Sequence, residues 1–471
     1  MLGVERRSVP GTSRPLASPR RAARIPPPEE GRDGVMTRRQ VAPVLVLSGI
    51  GAGLLAALWL WWSSTSSLHG LGDYLTGAGQ ILGLMAGYGV VVLVALMARL
   101  PPLERAIGSN RLARWHAMGG RYVVTIIVAH ALLITWGYSV TAHEGLISEA
   151  GTLLTSYPDV LMATVAGLMF VGIGVVSARA ARRRMAYETW YYLHFYTYLA
   201  IALAFSHQFA DGGSFASDLK ARIAWSALYL IVAALVVWYR LISPLRDAAH
   251  HQFRVVGVRR ESADVVSIYI GGRYLDELQA QPGQFFRWRF LSRSLWWSSH
   301  PYSLSALPRP DVMRITVKDH GDHSRALGDL QLGTRVMAEG PYGAFTPERT
   351  GRRVLLLAGG VGITPLRAMF AMLPGPVTLI YRASGPEDVV FADELDAIAH
   401  DRGATVQYLL GSRDRLGWDP LTAGQLNHMV PGLHRHDVYV CGPAGMTSSA
   451  IAALRAAGVP RRRIHHESFE F

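Results

Sequence analysis

The sequence predicts a multidomain protein: a six-helix transmembrane bundle, then an antiparallel β-barrel, then an α/β domain with a parallel sheet. Half of the 471 residues are hydrophobic and only 17% are charged, a composition too apolar for a soluble chain of this length. Six apolar runs fill the first half, and short strands fill the second. The formal charge of +13 does not indicate nucleic-acid binding, because the Arg residues interrupt apolar runs instead of forming one basic face.

The apolar runs define the predicted membrane domain, residues 41–245. Residues 1–40 precede it as a predicted disordered basic cytoplasmic tail, because they combine nine Arg with Pro and Gly and have no apolar periodicity. A bilayer core of ~30 Å requires about 20 apolar helical residues for one crossing. Runs of that length lie near 41–62, 77–98, 116–138, 159–177, 190–209 and 222–243.

The charges in the connections between these runs predict the orientation of the chain. The connections 99–115 and 178–189 contain four Arg each, whereas 63–76, 139–158 and 210–219 contain no Lys or Arg. Positive charge is retained on the cytoplasmic side of a membrane. We therefore expect a multi-pass protein of the cell membrane with both termini in the cytoplasm.

Four histidines lie within the predicted spans, two in the third and two in the fifth. At ~1.5 Å per residue, the two members of each pair stand roughly 20 Å apart along the helix. Both spans run outward, so equal depth pairs His116 with His194 on the cytoplasmic side. Equal depth pairs His130 with His207 on the outer side. Facing imidazoles can ligate both sides of a haem iron, which predicts two stacked b-type haems. Each histidine alone could instead be a hydrogen-bonded packing residue.

The spacing of the histidines in the fifth span predicts an irregular helix. Fourteen residues separate His116 from His130, and fourteen steps return an α-helix almost to the same face. Thirteen residues separate His194 from His207, which leaves the second ring roughly 140° away from the first. The fifth span must therefore bend or present its ligands from two flanks.

The predicted barrel, residues 250–346, contains three motifs that together indicate a flavin. His300, Pro301, Tyr302 and Ser303 form a segment in which an aromatic ring can stack on an isoalloxazine while a hydroxyl hydrogen-bonds its reactive nitrogen. The segment GDHSRAL, which includes Gly321, His323 and Ser324, opens a helix whose donors suit a pyrophosphate. The segment EGPYGAF (339–345) closes the barrel with turn glycines. Any one of these motifs is common, but the ordered set predicts FAD.

The predicted α/β domain, residues 350–471, contains a glycine-rich turn between a strand and a helix. The strand Val354 to Leu357 leads into a turn and a helix start formed by Gly359, Gly360, Gly362, Thr364 and Pro365. Glycines there allow phosphates to approach the backbone, and the helix N-terminus holds their charge. Such turns are also common structural features. Beside the flavin motifs, this one predicts a site for NADPH or NADH.

Further residues are predicted around the same ligands. Cys441, Gly442 and Pro443 end the last predicted strand and form a tight mouth, where Cys441 is either catalytic or a small buried hydrophobic residue. Ser412 and Arg413 could hold a 2′-phosphate, which would favour NADPH. Near the end of the chain, Phe469 or Phe471 could cover the flavin. Cys441 is the single cysteine, which excludes an intrachain disulfide and a Cys-ligated cluster.

With these residues in view, the chain resembles the ferric reductase and NADPH oxidase superfamily over roughly residues 41–471. The histidine spacings look like that family's bis-histidyl sites, HPYS looks like its HPFT flavin motif, and GGVGITP and CGPAGM look like its nicotinamide segments. The resemblance implies that FAD is held by His300, Tyr302, Ser303, His323 and Ser324. It places NAD(P)H at Gly360, Thr364, Cys441 and Gly442.

The resemblance also implies an activity. NAD(P)H would reduce FAD in the cytoplasm, and electrons would pass singly through the inner and then the outer haem to an acceptor on the outer face, with ferric chelates preferred. Superoxide production is an alternative, but the oxidases of the family carry an Arg and a His beside the outer haem, whereas Ile134 lies one turn beyond His130. An electron-donating subunit for an extracytoplasmic protein, or a non-catalytic haem protein, also stays open.

Overall fold

The computed structural model describes residues 38–65, 68–178, 185, 187–210, 215, 218–347, 353–411, 417 and 419–468. The predicted tail up to residue 37 lies outside these ranges. So do Ser412, Arg413, Phe469 and Phe471, whose predicted roles therefore stay predictions. Residues 38–40, which the sequence assigned to the tail, begin the first helix.

The membrane half of the described chain is helical, because a backbone in hydrocarbon must satisfy its own hydrogen bonds. Two short helices, α3 and α5, occupy connections for which the sequence predicted no structure, and a π turn at Trp238–Ile242 joins α9 to α10. The helices are α1 (Arg38–Ser64), α2 (Leu71–Leu96), α3 (Pro101–Ile107), α4 (Ser109–Ala142), α5 (Leu146–Ser156), α6 (Val160–Ser177), α7 (Tyr187–Phe195), α8 (Thr197–Ala210), α9 (Leu219–Val237) and α10 (Ser243–His251).

Within the described residues, five helical stretches are long and apolar enough to cross a bilayer. They are Val41–Ser64, Leu71–Leu96, Ser109–Ala142, Val160–Ser177 and Leu219–His251. The remaining predicted run, 190–209, is divided between α7 and α8, so the prediction of six continuous spans is not confirmed. The division falls at Tyr196, between His194 and His207. It supplies the bend that the thirteen-residue spacing requires.

Glycines allow α2 and α4 to pack closely. A Cβ atom on Gly79 would lie 2.8 Å from Cδ1 of Ile134, and one on Gly89 would lie 2.8 Å from Cγ2 of Val123. Larger residues would therefore push these helices apart. In lipid, where apolar side chains gain little by leaving their surroundings, such close backbone approach is a main source of helix association.

The residues from 254 to 342 form an antiparallel module. Two three-stranded sheets, ordered β1-β2-β5 and β4-β3-β6, pack around a core that includes Ile268, Phe286 and Trp288. Isolated bridges link one sheet to the other, but closure into the predicted barrel is not confirmed. The strands are β1 (Arg254–Arg260), β2 (Val265–Gly271), β3 (Phe285–Phe290), β4 (His300–Ser303), β5 (Val312–Lys318) and β6 (Val336–Tyr342), and α11 (Asp322–Ala326) lies between the last two.

The last part of the described chain is a parallel module. Its five strands are ordered β11-β10-β7-β8-β9, and β7 and β10 are buried along their whole length, as strands covered on both faces should be. The strands are β7 (Val354–Gly359), β8 (Val377–Ala383), β9 (Thr405–Leu410), β10 (Asp437–Gly442) and β11 (Ile464–Ser468). The helices are α12 (Ile363–Met372), α13 (Ala392–Arg402), α14 (Ala423–Met429) and α15 (Ala444–Ala456).

Candidate functional site

Four imidazoles form two facing pairs inside the helical bundle. The ring centres of His116 on α4 and His194 on α7 lie 5.8 Å apart, with the ring planes 75° apart. The ring centres of His130 on α4 and His207 on α8 lie 6.4 Å apart, with the planes 57° apart. These are the pairs that equal depth predicted. Fourteen residues of α4 place the two pairs at levels about 21 Å apart.

Backbone carbonyls orient the two imidazoles of α4. Nδ1 of His116 donates to the carbonyl oxygen of Leu93 at 3.1 Å, and Nδ1 of His130 donates to that of Gly79 at 2.7 Å. A carbonyl can only accept, so the proton of each neutral ring lies on Nδ1. Nε2 then carries a lone pair, which is the state a metal-ligating histidine needs.

Side chains of α6 and α7 fix the orientation of His194. Oγ of Ser177 lies 3.3 Å from Nδ1 of His194 and accepts a hydrogen bond from Nε1 of Trp190 at 3.2 Å. The Trp190 ring stacks on the His194 ring, with centres 5.2 Å apart and planes 24° apart. Stacking on the Trp190 ring and the contact with the Ser177 hydroxyl therefore both fix the orientation of the His194 ring.

The geometry of both pairs suits one metal ion between each pair of rings. An imidazole nitrogen binds a transition metal at about 2 Å, so two rings on opposite sides of one ion have centres roughly 6 Å apart. The observed spacings of 5.8 and 6.4 Å agree with this value. Together with the proton positions on α4, the spacing means that the four residues could serve as ligands to two haem irons.

The flavin motif lies on β4, at the edge of the antiparallel module. The rings of His300 and His323 lie 3.7 Å apart, and the ring of Tyr302 is nearly parallel to that of His300. Ser303 is buried, and Nε1 of Trp288 donates to the carbonyl oxygen of Tyr302 at 3.1 Å. The motif is thus held in one conformation by the core behind it.

Both ring nitrogens of His323 are buried and have no hydrogen-bond partner among the described residues. Burial and the neighbouring His300 lower the pKa of His323 to about 4, so the ring is neutral at pH 7. A bound ligand with polar groups, such as FAD, would supply the missing partners.

The Ser324 hydroxyl, which the sequence predicts as a ligand for a pyrophosphate, is hydrogen-bonded within its own turn. Its Oγ accepts from the backbone N–H of His320 at 2.7 Å and donates to the carbonyl oxygen of Gly321 at 2.9 Å. The hydroxyl therefore closes the turn before α11. Contact of Ser324 with a pyrophosphate stays a prediction.

Strand β6 joins the antiparallel module to the membrane half. The Arg99 side chain, in the connection after α2, forms an ion pair with Glu339 and lies 6.0 Å from the ring centre of Tyr342. Burial, together with Arg287 and Arg240, lowers the pKa of Arg99 to about 9. This contact brings the antiparallel module against the end of the bundle at which α2 ends.

The glycine-rich turn follows β7 as predicted. Residues Gly360–Gly362 form a single 3₁₀ turn, and α12 begins at Ile363, so Thr364 and Pro365 lie in its first turn. Gly360 has φ 51° and an added Cβ would meet nothing within 4 Å, which leaves this edge open to a ligand. Gly362, in contrast, is tightly packed, because an added Cβ atom would lie 2.7 Å from the backbone nitrogen of Gly442.

A cleft of about 240 Å³ lies in front of this turn, between the antiparallel and the parallel module. The cleft is lined by residues of the antiparallel module (Asp264, Val265 and Lys318) and of the parallel module (Gly359, Gly360, Val361, Arg382, Ala383, Ser384, Asp388, Val390, Gly411, Pro443 and Met446).

Arg382, Lys318 and Ser384 are candidate ligand-binding residues that the sequence reasoning missed. Arg382 and Ser384 lie at and just beyond the carboxyl end of β8, where ligands bind in open α/β sheets. That rule could have identified them. Lys318 could not be found in this way, because it reaches the cleft from β5 of the other module.

Cys441 is fully buried on β10, beside Ala358 of β7 and Glu467 of β11. Burial raises the pKa of its thiol, which favours the interpretation of a small hydrophobic residue over that of a nucleophile. Burial also raises the pKa of Glu467 to about 8, so this carboxyl is protonated at pH 7. Gly442 and Pro443 follow at the strand end, and Pro443 precedes α15.

Three protein-family models match successive parts of the chain. The model described as ferric reductase like transmembrane component matches residues 82–205. The FAD-binding domain matches residues 250–346, and the oxidoreductase NAD-binding domain matches residues 356–451. The paired histidines lie in or beside the first match, the β4 motif in the second and the glycine-rich turn in the third.

Individual relatives resemble part of the chain. The ferredoxin reductase component of 3-ketosteroid-9-alpha-monooxygenase from Rhodococcus rhodochrous is 32% identical over 46% of this chain and 64% of its own length. An NADPH oxidoreductase of Mycobacterium tuberculosis is 28% identical over 52% and 68%. A flavohemoprotein of Deinococcus radiodurans is 31% identical over 52% and 67%. The chain thus spans about two thirds of the length of these relatives.

Among solved structures, the flavohem-like FAD/NAD binding domain of nitric oxide dioxygenase from Vibrio cholerae O1 biovar El Tor covers 46% of this chain and 98% of its own. The sequence identity is 27% and the TM-score is 0.40. A ferredoxin NADP+ reductase from Neisseria gonorrhoeae covers 46% and 97%, with 19% identity and a TM-score of 0.39.

Proposed function

The chain belongs to the ferric reductase and NADPH oxidase superfamily, as a ferric reductase-like transmembrane component fused to FAD- and NAD-binding domains, and we propose that it is a transmembrane NAD(P)H-dependent ferric reductase. Electrons from cytoplasmic NAD(P)H pass through FAD and two b-type haems to ferric chelates on the outer face of the cell membrane. The balanced reaction is oxidation of one NAD(P)H, with release of one proton, for reduction of two ferric ions to ferrous ions.

One observation supports this proposal above the others: four imidazoles meet in two pairs at two levels of the bundle. A single pair of histidines would hold one haem, and one haem could not carry electrons across the whole bilayer. Two pairs about 21 Å apart along α4 divide the distance into two steps. His116 and His194 ligate the inner haem, and His130 and His207 ligate the outer one.

The proposed orientation places the reductase modules in the cytoplasm. The connection 99–115 carries four Arg and contacts β6 through Arg99, so the positively charged side of the bundle is also the side that meets the flavin module. For this topology the divided helix α7–α8 supplies the fifth of six crossings. Both termini are then cytoplasmic.

The side chains of the two modules hold the soluble cofactors. Tyr302 and Ser303 on β4 bind the isoalloxazine ring, with His300 and His323 beside it. The glycine turn at Gly360 and the start of α12 receive the nucleotide phosphates, and Arg382 adds a positive charge to the same cleft. Ser412, Arg413 and Phe469 complete the proposed site. When bound, FAD accepts the two electrons of a hydride and releases them one at a time.

The surroundings of the outer pair favour a ferric chelate over oxygen as the acceptor. One turn beyond His130, the Ile134 side chain packs into the space above Gly79, so this part of the helix pair is apolar and filled. The apolar Ile134 side chain supplies no polar group that could stabilise superoxide at this position. Electrons would leave at the outer edge of the bundle to an acceptor too large to enter it.

Proteoliposomes test the acceptor directly. The protein is reconstituted with ferric citrate and a coloured ferrous chelator trapped inside, and NADPH or NADH is added outside. Chains with their reductase modules facing outward should then form ferrous iron in the lumen, two ions for each dinucleotide oxidised. The same vesicles without protein report leakage.

Three other results would each contradict the proposal that the protein is a ferric reductase. Superoxide in place of ferrous iron would indicate an oxidase. Haem reduction without turnover of ferric citrate would indicate a donor to an extracytoplasmic protein. Haem that stays oxidised would indicate a non-catalytic haem protein.

A further inference from the structure

The antiparallel and parallel modules are joined by a partly buried cluster of three charged side chains. Nη1 and Nη2 of Arg314, on β5, donate to the two carboxylate oxygens of Glu394, on α13, at 2.7 and 2.9 Å. Arg367, on α12, lies 2.7 Å from the same carboxylate. The side chains of Arg314, Glu394 and Arg367 are only 6%, 28% and 15% exposed, so water does not screen these contacts well.

Within this cluster, the contact between Arg314 and Glu394 is the one that crosses between modules. Arg367 and Glu394 both belong to the parallel module. The bidentate geometry of Arg314 with the carboxylate fixes direction as well as distance. Its guanidinium also lies 4.5 Å from the ring centre of Phe391, the residue immediately before α13.

The same arginine holds the flavin strand. Nε of Arg314 donates to Oγ of Ser305 at 3.1 Å, and Nη2 donates to the carbonyl oxygen of Ser305 at 3.0 Å. Ser305 is fully buried two residues beyond Ser303, and Oγ1 of Thr316 donates to its hydroxyl at 2.8 Å. A short chain of contacts thus connects the β4 motif to α13.

Both modules contribute to the lining of the nucleotide cleft with a residue close in sequence to this cluster. Lys318 lines the cleft four residues after Arg314 on β5, and Val390 lines it four residues before Glu394. A change in the distance between Arg314 and Glu394 would therefore change the width of the cleft.

We propose that Glu394 is a positioning residue, which through Arg314 holds the parallel module at the distance from the β4 strand that hydride transfer to the flavin requires. This inference rests on the proposed function, because it assumes that NAD(P)H reduces the bound FAD. Reacting groups must approach within about 3.5 Å, and a misplacement of 1 Å can slow a reaction by about 100-fold. A rigid contact between the modules is the means by which this chain limits that error.

The attraction of both arginines to Glu394 explains why the cluster tolerates partial burial, although two positive charges share one carboxylate. Burial lowers the pKa of Arg367, whereas the pKa of Arg314 is raised because the hydrogen bonds and charge of Glu394 outweigh the effect of burial. For Glu394, burial acts to raise the pKa, but the two arginines prevail and lower it. All three groups are thus charged at pH 7.

The test compares Glu394→Gln with Asp396→Asn in full-length, FAD-loaded protein. Both changes remove one carboxylate from α13, but Asp396 accepts a hydrogen bond from Tyr408 within the parallel module. Hydrogen–deuterium exchange without nucleotide should increase in both β5 and α13 for Glu394→Gln, and should not increase in β5 for Asp396→Asn.

Stopped-flow reduction of the flavin under anaerobic conditions is the second readout. For Glu394→Gln we expect the rate constant at saturating NADPH to fall by about tenfold or more, with the nucleotide dissociation constant within about threefold and FAD content unchanged. Arg314→Met should behave in the same way. Because Glu394 keeps Arg367 in that variant, it provides the test if Glu394→Gln does not fold.

The outcomes separate this proposal from the proposed function. Rates for Glu394→Gln and Arg314→Met equal to that of Asp396→Asn would overturn the positioning role. So would unchanged exchange in β5, or a loss confined to nucleotide affinity. Wild-type protein whose flavin stays oxidised with both NADPH and NADH would overturn the proposed function itself, whatever the exchange data show.

Discussion

At the scale of single residues, the proposed electron path depends on where protons lie. The carbonyl oxygens of Leu93 and Gly79 hold the Nδ1 protons of His116 and His130, so the lone pair of each neutral ring is on Nε2. Without these acceptors the rings could rotate or change tautomer, and both would be less well prepared to bind a metal ion.

Cys441 provides a prediction at the same scale. The thiol is fully buried and its pKa is raised, so at pH 8 it stays protonated, whereas an unfolded chain would form thiolate near its ordinary pKa. We expect N-ethylmaleimide to label native protein at least about 100-fold more slowly than protein in SDS, as judged by intact mass. Because Cys441 is the only cysteine in the sequence, any labelling can be assigned to it without a mutant. Complete labelling of native protein within minutes would contradict the buried position of Cys441.

At the scale of secondary-structure elements, the division of one span and the close packing of two others decide the geometry of the site. The break at Tyr196 separates α7 from α8, so His194 and His207 can each meet a partner although their spacing does not match a helical face. The partner helix α4 is continuous. Its position is set by the glycines of α2.

Gly83 on α2 provides a test of that packing. A Cβ atom there would lie 2.9 Å from Cε1 and 3.0 Å from Nδ1 of His130. For Gly83→Ala we therefore expect His130 to be displaced and the haem content to fall from two toward one per chain, measured by pyridine haemochrome. Gly51→Ala on α1 is the matched control, because its Cβ would meet nothing within 4 Å. Two haems with an unchanged spectrum in Gly83→Ala would refute the assigned position of His130.

Local patterns were enough to predict some of these features and not others. Apolar length located most spans, and periodicity with glycines located β7 and the start of α12. The break at Tyr196 was inferred only as a need for a bend, since nothing in the local sequence distinguishes it from a continuous helix. The contacts of Arg314 with Glu394, and of Lys318 with the cleft, join residues distant in sequence. They depend on how two modules pack, which no periodicity encodes.

At the scale of the whole molecule, the three parts of the chain are linked by partly buried ion pairs. Arg99 and Glu339 connect the bundle to the antiparallel module, and Arg314 and Glu394 connect that module to the parallel one. Each contact lies beside a step of the proposed electron path. The order of the parts along the chain is thus also the proposed order of electron transfer.

Breaking the ion pair between Arg99 and Glu339 should slow only electron transfer from the flavin to the haem. For Glu339→Gln we expect haem reduction by NADPH to slow by about tenfold, because the flavin module is no longer fixed against the bundle, while flavin reduction stays within about twofold. Stopped-flow absorbance at flavin and haem wavelengths separates the two steps. Asp311→Asn is the control, since Asp311 and its partner Arg309 are 69% and 70% exposed on the same module. Equal haem reduction in Glu339→Gln and Asp311→Asn would show that this contact does not position the flavin.

The most direct test of the central claim is the absorption spectrum of purified protein titrated with NADPH without oxygen, for the wild type and for single His→Ala variants. The wild type should contain two b-type haems, both reduced. His130→Ala should keep one haem that NADPH still reduces, whereas His194→Ala should keep one haem that dithionite reduces and NADPH does not. His69→Ala, outside the pairs, should match the wild type. Colourless wild-type protein, or two haems retained in both paired variants, would contradict the account.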